Sequence, residues 1–213
     1  YNPEVQFYAT RGYGVLQMDY RGSTGYGREE MILANHQMGK KMQEDKYDAL
    51  MWANEQGYVD MDNVCISGAS YGGYAAMQAA TKNPELFKCI IAYVGVYDLT
   101  SMDLRGLRWS DLGMPMEYIE KGDPRDPDDY QNLYENSPLF FAENIEDPIL
   151  IITGRRDNQV RFQETVDMVN ELKKYNKDYK YIIKGDEGHG FRNETANLEL
   201  YQDYEEFLAE HLN

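Results

Sequence analysis

A glycine-rich hexapeptide, GASYGG at residues 68–73, stands between a short apolar run and a longer helical pattern. The run NVCIS at residues 63–67 is typical of a buried strand, and YAAMQAATKN at residues 74–83 is typical of a helix. In this setting the pattern G-x-S-x-G predicts a sharp strand-to-helix turn. Small residues at its two outer glycine positions let the turn hold the hydroxyl of Ser70 clear of the sheet.

Short apolar runs bounded by turn residues recur along the rest of the chain and alternate with longer helical patterns. We predict five strands, at residues 14–19, 63–67, 88–94, 148–153 and 178–183, and amphipathic helices at residues 40–56, 161–175 and around 200–208. This alternation indicates an α/β fold with a mostly parallel sheet flanked by helices. The Pro-, Asp- and Tyr-rich stretch at residues 99–142 is predicted to be an insertion over the carboxyl edge of the sheet, where substrate contacts are expected.

The balance of charge limits the classes of partner. Lys and Arg number 21 against 37 Asp and Glu, so the formal net charge of the 213 residues is −16. Such an excess of acid repels phosphate backbones and anionic head groups, and no apolar run approaches the roughly 20 residues that span a bilayer. We therefore expect no nucleic-acid partner and no membrane partner. We expect a soluble protein, and the sequence leaves its compartment, cytoplasm or periplasm, open.

The two cysteines, Cys65 and Cys89, lie inside apolar runs. Their number excludes a disulfide framework, and their spacing fits no metal site. We expect two reduced thiols in the core, with a disulfide left open should the two residues fall on neighbouring strands. No HExxH motif and no phosphate-binding Lys-Ser/Thr ending occur in the sequence, so we expect no metal and no cofactor.

A serine hydroxyl is a weak nucleophile without a base, and the chain contains three histidines. His189 follows the last predicted strand in the sequence GDEGHGF, on a loop from which it could reach Ser70. His36 ends a polar helical segment, and His211 lies two residues from the end of the sequence given. We therefore predict His189 as the base and treat the other two histidines as surface or packing residues.

The acid that orients such a histidine lies between the serine and the histidine in α/β-hydrolase chain order, after a strand. Asp157 follows the strand at residues 148–153 by a short turn and fits this requirement. Asp186 and Glu187 are rivals by closeness to the histidine but lie on its own loop, where the geometry is poor. Asp98 is a weaker rival after another strand. We predict Asp157.

Four segments together carry a family resemblance. They are MDYRGSTGYG (residues 18–27), GYVDMDNVCISGASYGGYAA (57–76), TGRRDNQV (153–160) and DEGHGF (186–191). In this order they resemble the catalytic domain of the prolyl oligopeptidase family of serine peptidases, in its acylaminoacyl-peptidase and dipeptidyl-peptidase branch. The resemblance implies an α/β-hydrolase fold and hydrolysis of short peptides through an acyl-enzyme, by an exopeptidase or oligopeptidase.

The resemblance also implies roles for single residues. The triad maps onto Ser70, Asp157 and His189, the positions predicted above, and the amide of Tyr71 maps onto an oxyanion donor. Val160 is implied to line the pocket for the residue before the scissile bond. Gln159 stands where the family commonly has Asn and is implied to bind a substrate carbonyl.

Two further features depart from the family pattern. Thr153 replaces the family's usual His before Gly154, and the stretch LTSMDLRGLRW (residues 99–109) lacks the aromatic cluster of a proline pocket. The family's His-Gly-Gly-Pro loop, first strands and β-propeller are absent from this sequence. We therefore expect residues 1–213 to be a partial catalytic domain, weakly active or inactive alone, with a β-propeller partner domain upstream in the full-length protein. A homo-oligomer is compatible with the sequence.

Two other functions remain open from the sequence. A carboxylesterase would share the turn and the triad, although no long apolar lid segment is present. A non-catalytic binding domain could keep the fold, although fold alone would not demand all three triad residues.

Overall fold

The computed structural model describes residues 2–101 and 122–212. Four parallel strands form one sheet in the order β1-β2-β3-β4: β1 is Cys65–Ala69, β2 is Cys89–Tyr93, β3 is Ile149–Gly154 and β4 is Tyr179–Lys184. These confirm four of the predicted strands to within two residues at each end. The register pairs Ser67 with Ile91 and Ile152 with Ile182, so the strands end together at one carboxyl edge.

Helices connect and flank the strands. Those of the described residues are α1 (Pro3–Thr10), α2 (Arg28–Ile32), α3 (Lys41–Glu55), α4 (Tyr71–Lys82), α5 (Pro127–Glu135), α6 (Phe162–Lys174) and α7 (Glu194–His211), with short 3-10 helices at Pro84–Leu86 and Pro138–Asn144. The predicted helices at residues 40–56, 161–175 and 200–208 are confirmed as α3, α6 and α7. Gly57 follows α3 with a φ of 70°, the left-handed conformation that commonly ends a helix.

Both faces of the sheet are covered, which explains why its central strands are apolar throughout. In β2, Ile90 and Ala92 pack on the face covered by α4 and α6, whereas Cys89 and Ile91 pack on the face covered by α1 and α7. Every residue of β3 is buried. Alternate side chains of the strand therefore pack into two separate apolar layers, one on each face, as expected for a parallel sheet between helices.

The predicted strand at residues 14–19 is wrong. This segment has no strand pairing in the structure, and Val15 and Leu16 are 39% and 49% exposed. A strand needs a neighbouring strand that supplies backbone hydrogen bonds, and no described segment pairs with residues 14–19 in this way. Instead, a groove of about 310 Å³ separates residues 14–17 from Cys65, Ser67 and Gly68 of β1.

The expectation of two reduced thiols is also wrong in this structure, where Cys65 and Cys89 form a disulfide. The parallel register places the two residues opposite each other in β1 and β2, with Cα atoms 4.7 Å apart. That separation lies within the range a disulfide bridges. The bond therefore joins the edge strand of the sheet to its neighbour.

The predicted insertion at residues 99–142 lies partly outside the described residues. Of its described part, α5 begins at Pro127, where the side chain of Asp126 caps the helix by accepting hydrogen bonds from the amides of Asp128 and Asp129. The stretch at residues 99–109, which departs from the family pattern, lies mostly outside the described residues as well.

Candidate active site

The glycine-rich turn predicted at residues 68–73 joins β1 directly to α4. Ser70 is the single residue between them and has a φ of 57°, a conformation that costs energy for a residue with a Cβ. Its amide donates to the carbonyl of Tyr93, 2.9 Å away, at the end of the neighbouring strand. Strained non-glycine backbone of this kind clusters at functional sites because it fixes a side chain where it is needed.

Position 68 has to be glycine because the end of β1 passes very close to the first turn of α4. A Cβ at Gly68 would lie 2.4 Å from the carbonyl carbon of Gly72, a distance at which the backbone itself must move. At Gly72 a Cβ would meet nothing within 4 Å. The two outer glycines of the motif therefore differ, and the close approach depends on the first.

The three predicted triad residues meet at the carboxyl edge of the sheet. His189 Nε2 lies 2.8 Å from the Oγ of Ser70, and its Nδ1 lies 2.8 Å from the Oδ2 of Asp157. The Asp157 side chain is 0% exposed and that of His189 is 13% exposed. Low exposure strengthens both hydrogen bonds because water competes with them less.

Asp157 is fixed by its own turn as well as by the histidine. Its Oδ1 accepts hydrogen bonds from the amides of Gln159 and Val160, at 2.8 and 2.9 Å. The carboxylate therefore uses one oxygen for the turn and the other for His189. The same contacts tie the backbone of the two predicted substrate-binding residues to the predicted acid.

Three residues to which the sequence analysis gave no such role, Glu187, Tyr93 and Gly154, determine the position of the His189 loop. The carboxylate of Glu187 accepts hydrogen bonds from the amides of Arg192 and Asn193, and its carbonyl accepts one from Arg156. The hydroxyl of Tyr93 accepts the amide of Phe191 at 2.5 Å. Burial raises the pKa of Tyr93 above its usual range, so this hydroxyl stays neutral.

Gly154 is the third of these residues. A Cβ at this position would lie 2.4 Å from the carbonyl oxygen of Gly188 and 2.5 Å from that of Glu187. The end of β3 therefore has to be glycine for the histidine loop to pass this close. The only signal in the sequence is a glycine that ends a buried run directly before the loop of the acid.

The rival acids make other contacts. Asp186 is exposed and pairs with Arg156 at 2.7 Å, and Glu187 holds its own loop as described above. The Oδ1 of Asp98 accepts hydrogen bonds from the amide and hydroxyl of Thr100 and from the amide of Ser101. Glu187 and Asp98 therefore stabilise the backbone around them, and Asp186 forms an ion pair at the surface.

The rival histidines lie in other surroundings. His36 Nδ1 lies 3.6 Å from Asp129, and the ring of His211 packs edge-on against Phe207. Neither contact involves Ser70.

The remaining predicted site residues lie beside this cluster. Tyr71 is the first residue of α4, next to Ser70, and its ring lies 5.3 Å from that of Tyr20. Val160 is buried and Gln159 is exposed. Within residues 2–101 and 122–212, no three His, Cys, Asp or Glu side chains converge as a metal site would need, and no helix is long and apolar enough to cross a bilayer.

A strand–turn–helix elbow at the carboxyl edge of a parallel sheet, with a histidine on the loop after the last strand, defines the α/β-hydrolase class. The model of the prolyl oligopeptidase family matches residues 1–213. The chain belongs to the prolyl oligopeptidase family, a family of peptidases.

Relatives and solved structures agree with this assignment. The chain is 35% identical over 212 residues to dipeptidyl peptidase family member 6 of Caenorhabditis elegans, covering 99% of the chain and 28% of that protein. It is 37% identical over 208 residues to dipeptidyl aminopeptidase BIII of Pseudoxanthomonas mexicana, covering 96% and 30%. The structure of Pyrococcus horikoshii acylaminoacyl peptidase superposes with a TM-score of 0.77 at 26% identity, covering 91% of this chain and 31% of that one. The chain thus spans less than a third of the length of these proteins.

Proposed function

We propose that this chain carries the catalytic centre of a serine peptidase that hydrolyses short peptides through an acyl-enzyme. Ser70 is the nucleophile, His189 the general base and acid, and Asp157 the residue that orients the imidazole. The observation that carries the proposal is the hydrogen-bonded chain from Ser70 Oγ through His189 to Asp157, with both distances at 2.8 Å.

The chemistry follows from this chain of hydrogen bonds. As Ser70 Oγ attacks the peptide carbonyl carbon, its proton passes to His189 Nε2, and the Asp157 carboxylate stabilises the imidazolium through Nδ1. The imidazolium then protonates the departing amine as the C–N bond breaks, which leaves an ester on Ser70. Water attacks this ester by the same route, with His189 taking its proton and returning it to Ser70. The products are an acid and an amine, and the enzyme is regenerated.

The charge that develops on the carbonyl oxygen needs a donor near Ser70. The amide of Tyr71 is proposed to supply one, because it belongs to the first residue of α4 and the residue after the nucleophile supplies such a donor in α/β hydrolases. The positive end of the helix dipole also favours an anion at this point. One oxyanion donor contributes about 10²–10³ in rate.

The proposed substrate class comes from the relatives. Their names describe dipeptidyl and acylaminoacyl peptidases, so an exopeptidase or oligopeptidase is the activity this chain supports best. Val160 is proposed to line the pocket for the residue before the scissile bond, and Gln159 to bind a substrate carbonyl. Their backbone contacts to Asp157 support a location beside the nucleophile.

We also propose that the full-length protein completes the sheet and adds an upstream β-propeller domain. The groove beside β1 supports the first part, because it separates the free edge of that strand from residues 14–17. A further strand in this groove would give both segments the ladder partner that the described residues do not provide. The small share of each relative that the chain covers supports further chain in the full-length protein, and the family resemblance implies that this further chain forms a β-propeller.

The test compares substrates in the full-length protein. Purified enzyme is offered aminoacyl and dipeptidyl anilides beside short-chain nitrophenyl esters, and Ser70→Ala serves as the inactive control. Hydrolysis of anilides that Ser70→Ala lowers by about 10⁴-fold or more supports the proposal. A preference for esters by several orders of magnitude in kcat/KM assigns the protein to the carboxylesterases instead, and no hydrolysis of either class favours a binding domain.

A second measurement tests the need for upstream residues. Residues 1–213 alone should turn over the same anilide at least about 10²-fold more slowly than the full-length protein, because a missing oxyanion donor costs that much. Equal rates would contradict the proposal that this chain is a partial domain.

A further inference from the structure

A buried carboxylate that the proposed mechanism does not use lies in the first turn of α6. The Glu164 side chain is 6% exposed, and its two oxygens accept four hydrogen bonds. Oε2 accepts the amides of Tyr97 and Asp98, at 3.2 and 3.0 Å. Oε1 accepts the hydroxyl of Ser101 at 2.9 Å and the guanidinium of Arg161 at 3.4 Å.

These donors come from two turns at the same edge of the sheet. Residues 97–101 follow β2, and residues 157–161 follow β3, the strand that pairs with β2. Arg161 adds a direct link between the turns, since its Nη2 donates to the carbonyl of Ser101 at 2.8 Å. Glu164 and Arg161 therefore clamp the turn after β2 to the turn after β3.

The clamp lies beside the proposed substrate-binding residues and outside the triad. Gln159 and Val160 belong to the clamped turn at residues 157–161. Asp157 belongs to the same turn, where its Oδ1 accepts the amides of Gln159 and Val160, but its Oδ2 has an anchor outside the clamp, the hydrogen bond to His189. We therefore expect a loss of the clamp to displace the side chains of Gln159 and Val160 more than the hydrogen bond between Asp157 and His189.

We infer that Glu164 is a positioning residue for the peptide substrate, which it serves by holding the turn of Gln159 and Val160 against residues 97–101. The inference rests on the proposed peptidase function. The position of Glu164 in the first turn of α6 suits a carboxylate, because the helix dipole stabilises negative charge there. Four donors at one buried carboxylate make the link stiff.

The experiment uses the full-length protein and the anilide that it turns over best. Glu164→Ala should raise KM about tenfold or more, while kcat and the rate at which a small fluorophosphonate labels Ser70 stay within about threefold of the parent. Glu164→Gln should restore KM to within about threefold, because its carbonyl oxygen can still accept the amides of Tyr97 and Asp98. Glu171→Ala, on the same helix, is the matched control and should change neither constant, because among the described residues the Glu171 side chain pairs with Lys174 at the surface.

Two outcomes would overturn the inference. An equal loss of kcat and of labelling rate in Glu164→Ala would make the residue a support of the triad. An unchanged KM with a lowered Tm would make it a support of the fold alone. Should Glu164→Ala fail to fold, Ser101→Ala removes one of the four donors and must raise KM by a smaller factor. Labelling of Ser70 in the parent protein reports on the proposed function separately, so the two failures are distinguishable.

Discussion

Gly154 ends β3 directly beneath the loop of His189, and a Cβ at this position would lie 2.4 Å from the carbonyl oxygen of Gly188. Backbone atoms on both sides leave no flexible side chain to absorb the overlap. The approach therefore sets how far His189 reaches towards Ser70. A single missing Cβ in one strand thus governs the geometry of a loop 34 residues further along the chain.

Gly154→Ala should lower kcat/KM of the full-length protein about 10²-fold, because displacement of the histidine by about 1 Å breaks a hydrogen bond on which proton transfer depends. The measurement is anilide hydrolysis together with the rate of fluorophosphonate labelling. Gly185→Ala is the control on the same loop, since a Cβ at Gly185 would meet nothing within 4 Å. Equal activities of the two variants would show that the close approach is not needed.

The identity of the acid gives a second prediction. Asp157→Asn should lower kcat about 10³–10⁴-fold, because an amide cannot stabilise the imidazolium or fix its tautomer. Asp186→Asn should change kcat less than about twofold, because that carboxylate is exposed and pairs only with Arg156 among the described residues. A larger loss in Asp186→Asn than in Asp157→Asn would exchange the two assignments.

The geometry of the strand-to-helix turn predicts different effects on stability for alanine substitutions at Gly68 and at Gly72. Gly68→Ala should lower the free energy of unfolding by about 2 kcal/mol or more, because its Cβ collides with the backbone of Gly72. Gly72→Ala lies in the first turn of α4 in open space and should leave stability unchanged or raise it by about 0.5–1 kcal/mol. Denaturant unfolding of both variants measures this. Similar losses at both positions would contradict the geometry of the turn.

A pH-dependent effect is expected far from the site, where Asp147 precedes β3. Burial, with a smaller contribution from Glu146, raises the pKa of Asp147 to about 6. The folded state then binds more protons than the unfolded state between about pH 4 and pH 6, so the free energy of unfolding falls as the pH rises through that window. Above pH 6 the charged carboxylate destabilises the fold.

Asp147→Asn should therefore raise Tm at pH 7.5, by an amount that corresponds to about 1 kcal/mol after allowance for solvent screening, and change it little at pH 4. The Oδ2 of Asp147 is buried without a hydrogen-bond partner among the described residues, and this also favours the protonated form of the carboxyl. Thermal unfolding at the two pH values measures the difference. A uniform shift at both values would show that charge is not the cause.

Local sequence predicts the elbow and four of the five strands because each depends on residues close together in the chain. The position of Ser70 follows from glycine spacing, and the runs of β2 and β3 are apolar because both of their faces are buried. The same apolar signal predicts a strand at residues 14–19, and this prediction is wrong because a strand also needs a neighbouring strand to pair with. The apolar pattern of a segment does not show whether a second strand lies beside it.

The contacts that the sequence could not predict depend on register and on loops. Cys65 and Cys89 pair because of the parallel register of β1 and β2, which no local pattern encodes. The roles of Glu187 and Tyr93 in holding the histidine loop come from backbone amides, and a backbone amide is the same whatever the residue. His189 and Asp157 lie near Ser70 as predicted, whereas their catalytic roles stay predictions.

Covalent labelling tests the central claim most directly. The full-length protein is treated with a fluorophosphonate and digested, and the labelled peptide is identified by mass spectrometry, with Ser70→Ala and heat-unfolded protein as controls. One label per chain on Ser70, lost in both controls and slowed strongly in Asp157→Asn, is the predicted result. Native full-length protein that hydrolyses peptides while Ser70 stays unlabelled, or that labels elsewhere, would contradict the account.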